Sequence, residues 1–91
     1  MSSAGKYRVS IKATAEREMD DLAPADFRRV ASALVRLEDT PRPRGCKKLA
    51  GREEYRLRVG DYRVLYLVDD TRRFVEIVAV GHRKDVYRFG R

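Results

Sequence analysis

The sequence predicts an α+β fold: a small, antiparallel-rich, four-stranded sheet with an N-terminal helical hairpin on one face. Three observations carry this. A short alternating run opens the chain, two stripes of helical period follow it, and three strand-like runs fill most of the second half. The implied order is β-α-α-β-β-β with a short C-terminal helix or tail, an arrangement of two packed layers.

Each element has a local reason. Residues 1–5 are small and polar and are expected to be disordered, which leaves residues 6–91 as a single domain. Tyr7, Val9 and Ile11 alternate with Arg8 and Ser10, as in a half-buried strand. Thr14 is the expected N-cap of the first helix. Ala15, Met19 and Leu22 give its apolar side, and Glu16 and Glu18 suit the positive end of its dipole. Pro24 is placed to open the second helix. There Phe27, Val30, Ala31, Leu34 and Leu37 recur at the spacing of an amphipathic stripe. Pro41 and Pro43 end the helical part. A basic loop follows, with Arg42, Arg44, Lys47, Lys48 and Arg52. Beyond it, residues 54–59 and 62–68 alternate, whereas 74–80 is apolar on both faces, as in a central strand. Asp69 to Arg72 reads as a turn.

Gly60 and Asp61 separate two of these strands, and Gly in the first loop position suits a two-residue type II′ hairpin. That turn fixes the register. Val59 faces Tyr62, Arg58 faces Arg63, Leu57 faces Val64, Arg56 faces Leu65 and Tyr55 faces Tyr66. The side-chain pattern agrees, since a slip of one residue would turn a strand over. Tyr55, Leu57, Val59, Tyr62, Val64, Tyr66 and Val68 then fall on the helical side. Arg56, Arg58 and Arg63 fall on the other, beside Leu65 and Leu67. Arg58 directly opposite Arg63 is unfavourable for an empty sheet. A bound phosphate reverses the sign, and the planar guanidinium fork suits that ligand.

The charge distribution points the same way. The formal net charge is +7. Residues 1–40 hold 7 basic and 7 acidic side chains, and residues 41–91 hold 14 basic and 7 acidic. The whole excess therefore lies in the second half, as expected for a polyanionic partner. One cysteine, Cys46, makes no internal disulfide, and one histidine provides no metal spacing. No metal and no cofactor is expected, no membrane span is present, and a cytoplasmic location fits. No Gly-rich phosphate loop or nucleophile–base pair is evident. An arginine cluster can still support phosphodiester cleavage by position and charge, with an RNA 2′-hydroxyl as nucleophile. His82 and Tyr87 are then the candidates for handling a proton, since arginine does not act as a base.

The run Tyr55-Arg56-Leu57-Arg58-Val59-Gly60-Asp61-Tyr62-Arg63-Val64-Leu65-Tyr66 and the closing Val80-Gly81-His82-Arg83-Lys84-Asp85-Val86-Tyr87 together resemble the RelE branch of the RelE/ParE toxin superfamily. The element order is similar as well. The resemblance implies the toxin of a type II toxin–antitoxin system, a ribosome-dependent endoribonuclease that cuts mRNA in the decoding site. It implies as partners a RelB-like antitoxin, held in a hetero-oligomer, together with the ribosome and mRNA. By position it implies that Arg56 and Arg58 match two basic strand residues of the family, Arg63 its phosphate-binding arginine, Arg83 its transition-state arginine and Tyr87 its C-terminal tyrosine. Arg58, Arg63, Arg83 and Tyr87 are thus the expected catalytic residues, and Arg56, Lys47, Lys48, His82 and Lys84 the expected RNA contacts. The best-studied pattern has lysines where Arg56 and Arg58 stand, so phosphate binding carries over but a lysine base does not. A ParE-like inhibitor of DNA gyrase and a non-catalytic nucleic-acid-binding module are the alternative readings.

Overall fold

Alternation at the start of the chain becomes strand β1 (Arg8–Ile11), which buries Val9 and Ile11 against the core and leaves Arg8 and Ser10 exposed. The computed structural model describes residues 6–82. The expected disordered N-terminus and C-terminal helix or tail lie outside them. Helix α1 (Ala13–Asp20) follows at once, with Lys12 as its N-cap. Thr14 is therefore inside the first turn and is not the cap, because the chain leaves β1 with no spare residue for a longer connection. Helix α2 (Pro24–Arg36) opens on Pro24 as expected.

The sheet has five strands, not four. β2 (Lys47–Lys48) is a two-residue strand, β3 (Tyr55–Val59) and β4 (Tyr62–Asp69) form the hairpin, and β5 (Phe74–His82) is the longest. The order is β1-β5-β4-β3-β2, with β1 parallel to β5 and all other pairs antiparallel. The loop containing Lys47 and Lys48 thus joins the sheet edge, which two polar residues could not announce in sequence.

One face of the sheet packs under both helices. Val30, Leu34 and Leu37 from the helical layer meet Leu57, Val64, Tyr66, Val75, Ile77 and Val80 from the sheet. Removing one such side chain, as in Leu34→Ala, is worth about 2–5 kcal/mol. Phe27, expected in this stripe, stays on the surface at 37% exposure. A network at the base of the molecule ties distant segments together. Arg42 donates to both carboxylate oxygens of Asp70, at 3.1 and 2.9 Å, and to the Tyr55 hydroxyl at 2.9 Å. Its guanidinium lies over the Tyr55 ring. The Tyr7 hydroxyl donates to Asp70 at 2.7 Å. These bonds from Arg42 and Tyr7 hold the Asp70 carboxyl below the ordinary aspartate range, and the same contact raises the Tyr7 hydroxyl. The Tyr66 hydroxyl donates to the Pro41 carbonyl at 2.8 Å, and burial raises its pKa.

Candidate functional site: the arginine face of the sheet

The β3–β4 register is the one the hairpin turn dictates: Tyr55 faces Tyr66, Arg56 Leu65, Leu57 Val64, Arg58 Arg63 and Val59 Tyr62. Gly60 has φ +60°, and among the described non-glycine residues only Arg73 has positive φ, so Asp61 does not. Positive φ at the first loop position alone is the type II′ signature. Gly60 also lies under α2, where an added Cβ would come within 3.3 Å of an Arg29 guanidinium nitrogen.

The face turned away from the helices is built in rows across the strands. At the hairpin end, Arg58, Arg63 and Gly81 stand side by side. The next row is Lys47, Arg56, Leu65 and Ala79. Leu67, Glu76 and Ser10 form the third. Arg58, Arg63, Arg56 and Lys47 thus gather at the hairpin end, whereas the row beyond Glu76 holds Asp69, Phe74 and Arg8. Leu65 is fully buried and Ala79 nearly so, with Leu49 and Val78 packed on them. The arginine stems stand on this apolar base, which leaves charged heads at the rim. The Nε of Arg63 is buried with no hydrogen-bond partner among the described residues. The ion pairs in the described residues engage Arg42, Lys48, Arg52 and Arg72, and not Arg58, Arg63 or Lys47. Such a face can hold an anion and stabilise charge that develops on it.

Of the residues singled out in the sequence, Arg56, Arg58, Arg63 and Lys47 share this face. Lys48 does not: it pairs with Tyr55 on the helical side, and its Nζ lies 3.9 Å from Glu53. His82 does not either. It stands opposite Tyr62 on the helical side, edge-on to that ring with centroids 5.9 Å apart. The cause is a bulge in β5. Leu65 faces Ala79 whereas Tyr66 faces Ile77, so Val78 is an extra residue that reverses the alternation beyond it. Arg83, Lys84 and Tyr87 lie outside the described residues.

A second basic feature was not singled out in sequence. A groove of about 590 Å³ runs between α2 and β3, with Arg28, Arg29, Arg36 and Arg44 around Ala33, Leu57 and Val59. Arg58 contributes to its rim. β2 pairs only with Tyr55 and Arg56, so the outer edge of Leu57–Val59 has no strand partner among the described residues. The signal was present as the spacing of Arg28, Ser32 and Arg36, every fourth residue along one helix face, but the balanced charge count of the first forty residues hid it. Among the described residues no group of three or more His, Cys, Asp or Glu side chains could hold a metal ion.

Comparison with known proteins bears on this arrangement. The family model for the ParE toxin of type II toxin–antitoxin systems matches residues 9–87. Toxin RelG of Mycobacterium tuberculosis is 36% identical over 90 residues, covering 90% of this chain and 97% of the relative. Toxin RelE of the same organism is 36% identical over 95 residues, covering 97% and 93%. The archaeal RelE–RelB complex of Pyrococcus horikoshii contains a chain that superposes with TM-score 0.79 at 32% identity, covering 88% of this chain and 98% of that one. The RelBE2 toxin–antitoxin complex of M. tuberculosis gives TM-score 0.77 at 32% identity, covering 86% and 99%. Fold, arginine-bearing hairpin and these matches agree: the chain belongs to the RelE/ParE family of type II toxin–antitoxin toxins, and it is the toxin of a RelBE-type system.

Proposed function

We propose that this toxin is a ribosome-dependent endoribonuclease that cleaves mRNA in the decoding site. The observation that carries this reading is the row Arg58–Arg63–Gly81, two cations facing each other across a ladder with no side chain on the third strand to fill the space. Like charges so placed are unfavourable until an anion joins them. The scissile phosphate is that anion. The RNA 2′-hydroxyl attacks phosphorus, the bond to the 5′-oxygen breaks, and a 2′,3′-cyclic phosphate and a 5′-hydroxyl result. Arg63 and Arg58 hold the non-bridging oxygens and offset the charge that builds on them in the transition state. Arg56 and Lys47, one row away, hold the flanking backbone. Arg83 and Tyr87 carry their roles from the family resemblance, Arg83 at the transition state and Tyr87 in proton transfer. Lys84 joins the RNA contacts on the same basis. In this reading the sheet supplies charge and Tyr87 handles the proton, so arginines in place of lysines remain compatible with cleavage.

The partner that silences the toxin is a RelB-like antitoxin. The likeness to toxin chains of solved RelE–RelB complexes supports this. The α2–β3 groove, whose arginines enter no ion pair and whose β3 edge has no strand partner among the described residues, suits an acidic segment with apolar anchors.

The test is primer extension on mRNA from cells expressing the chain. Cuts in phase with codons, dependent on translation and absent in Arg63→Ala, are expected. Uncut mRNA with inhibited gyrase supercoiling would replace this reading with that of a gyrase poison. The ParE description of the matching family model makes that the second reading worth running in parallel.

A further inference from the structure

Strand β5 has a neighbour on each side along Phe74–Ile77, where it lies between β1 and β4. β1 then ends: Ile11 pairs with Ile77, Lys12 donates its N–H to the Ile77 carbonyl at 3.0 Å, and the chain turns away into α1. Past this point β5 has lost a strand. Val80 is only 1% exposed, so its N–H must find a partner inside the protein. Glu18 provides one. Its Oε1 accepts from the Val80 N–H at 2.8 Å, across 62 residues of sequence. A carboxylate reaching from α1 stands where the missing strand would be, and a hydrogen bond to a charged acceptor is stronger than a neutral one.

The same stretch contains the bulge at Val78. Because of it, Ile77 and Val80 both face the helices, and Ala79 and Gly81 both face the arginine side. A regular β5 keeping Tyr66 opposite Ile77 would set Leu65 against Val78, Val64 against Ala79, Arg63 against Val80 and Tyr62 against Gly81. That register would put an alanine into the core beneath the helices and a valine beside Arg63. The bulged register puts valine in the core and leaves glycine beside Arg63.

We infer that Glu18, on the opposite side of the sheet from the arginines, is a positioning residue for them: by taking the Val80 N–H it holds β5 in its bulged register and keeps the space beside Arg63 open. The phosphate-binding half of this inference rests on the proposed function; the register half does not.

The experiment compares the wild-type chain with Glu18→Ala, Glu18→Gln and Glu18→Asp. Amide NMR reads the register through the Val64–Val80 cross-strand contact and the exchange rate of the Val80 amide. Fluorescence anisotropy reads binding of a short RNA carrying 2′-deoxyribose at the cleavage site. In Glu18→Ala, Val80 should exchange about tenfold faster, the Val64–Val80 contact should weaken, and RNA binding should fall about tenfold, the loss expected from one part-buried charge-assisted bond. Glu18→Gln keeps an acceptor of the same reach and should restore binding to within about threefold. Glu18→Asp keeps the charge but is one methylene short, and should show the same changes in smaller degree. It decides the question if the alanine variant does not fold. An unchanged Val64–Val80 contact with unchanged RNA binding in folded Glu18→Ala or Glu18→Asp overturns the inference, as does a shifted register with undiminished binding. Absence of RNA binding by the wild type overturns the phosphate-binding half of the inference, while primer extension still decides the proposed function and the Val64–Val80 contact the register.

Discussion

Two basic surfaces meet at strand β3, and they are built in opposite ways. On the sheet face, Arg58 and Arg63 are fixed by a backbone ladder, one directly across from the other, with Arg56 and Lys47 in the next row. Their spacing is set by strand geometry, so they converge on something small. In the groove, Arg28, Arg29, Arg36 and Arg44 stand on a helix and a loop around an apolar floor. Their heads are spread along its length and suit an extended segment. In the proposed function the first surface takes one phosphate and the second an extended acidic segment. Arg58, which belongs to the first and rims the second, is the point where an occupant of one would be felt by the other.

The sharpest break between the two is expected from Arg63→Ala, which should lower cleavage of translated mRNA about 100-fold, the scale of losing one preorganised donor to a developing charge. Antitoxin affinity, measured by calorimetry on the same variant, should hardly move. An equal loss of both would merge the two surfaces. Arg29→Glu combined with Arg36→Glu should do the reverse, weakening antitoxin binding about tenfold, mainly through a slower and less salt-dependent association. RNA cleavage by the unbound toxin should stay near wild type. Smaller effects test the frame that both surfaces share. Tyr66→Phe removes the bond to the Pro41 carbonyl and should lower stability by about 1 kcal/mol, visible as a shift of a few degrees in Tm. Asp70 gives the smallest effect. Its folded pKa is lowered by Arg42 and Tyr7, so its contribution is complete above the ordinary aspartate value and is lost as pH falls through the lowered one. Asp70→Asn should therefore flatten the acid limb of the Tm-against-pH curve and leave the neutral part parallel to wild type.

How far the sequence could be read varies sharply along β3, β4 and β5. The hairpin register was legible because Gly60 selects the turn and because polar and apolar residues alternate on both strands, so a slip would bury arginines. β5 offered no such check. Val75, Ile77, Val78, Ala79 and Val80 are all apolar, and a strand apolar on both faces looks the same before and after a bulge. Sequence pattern alone therefore does not separate His82 from the arginines, although it lies beside Tyr62. β2 was too short and too polar to separate from a loop, which is why Lys47 and Lys48 were treated alike although they point to opposite faces. The groove was missed for another reason: counting charges along a chain does not show how a helix sorts them around its axis.

The parallel pairing of β1 with β5 has a consequence for how the molecule comes into being. Residues 8–11 meet their partners only at residues 74–77, and Tyr7–Asp70 and Glu18–Val80 span similar separations. Contacts so distant along the chain are slow to form and reward folding only once the intervening loop has closed. As synthesis proceeds from the N-terminus, the helices and the β3–β4 hairpin emerge before the central strand that joins them to β1. The arginine hairpin is made early, yet its place in the sheet is settled late. Gly81 belongs to the strand that closes the sheet, so the row Arg58–Arg63–Gly81 is complete only once β5 is in place.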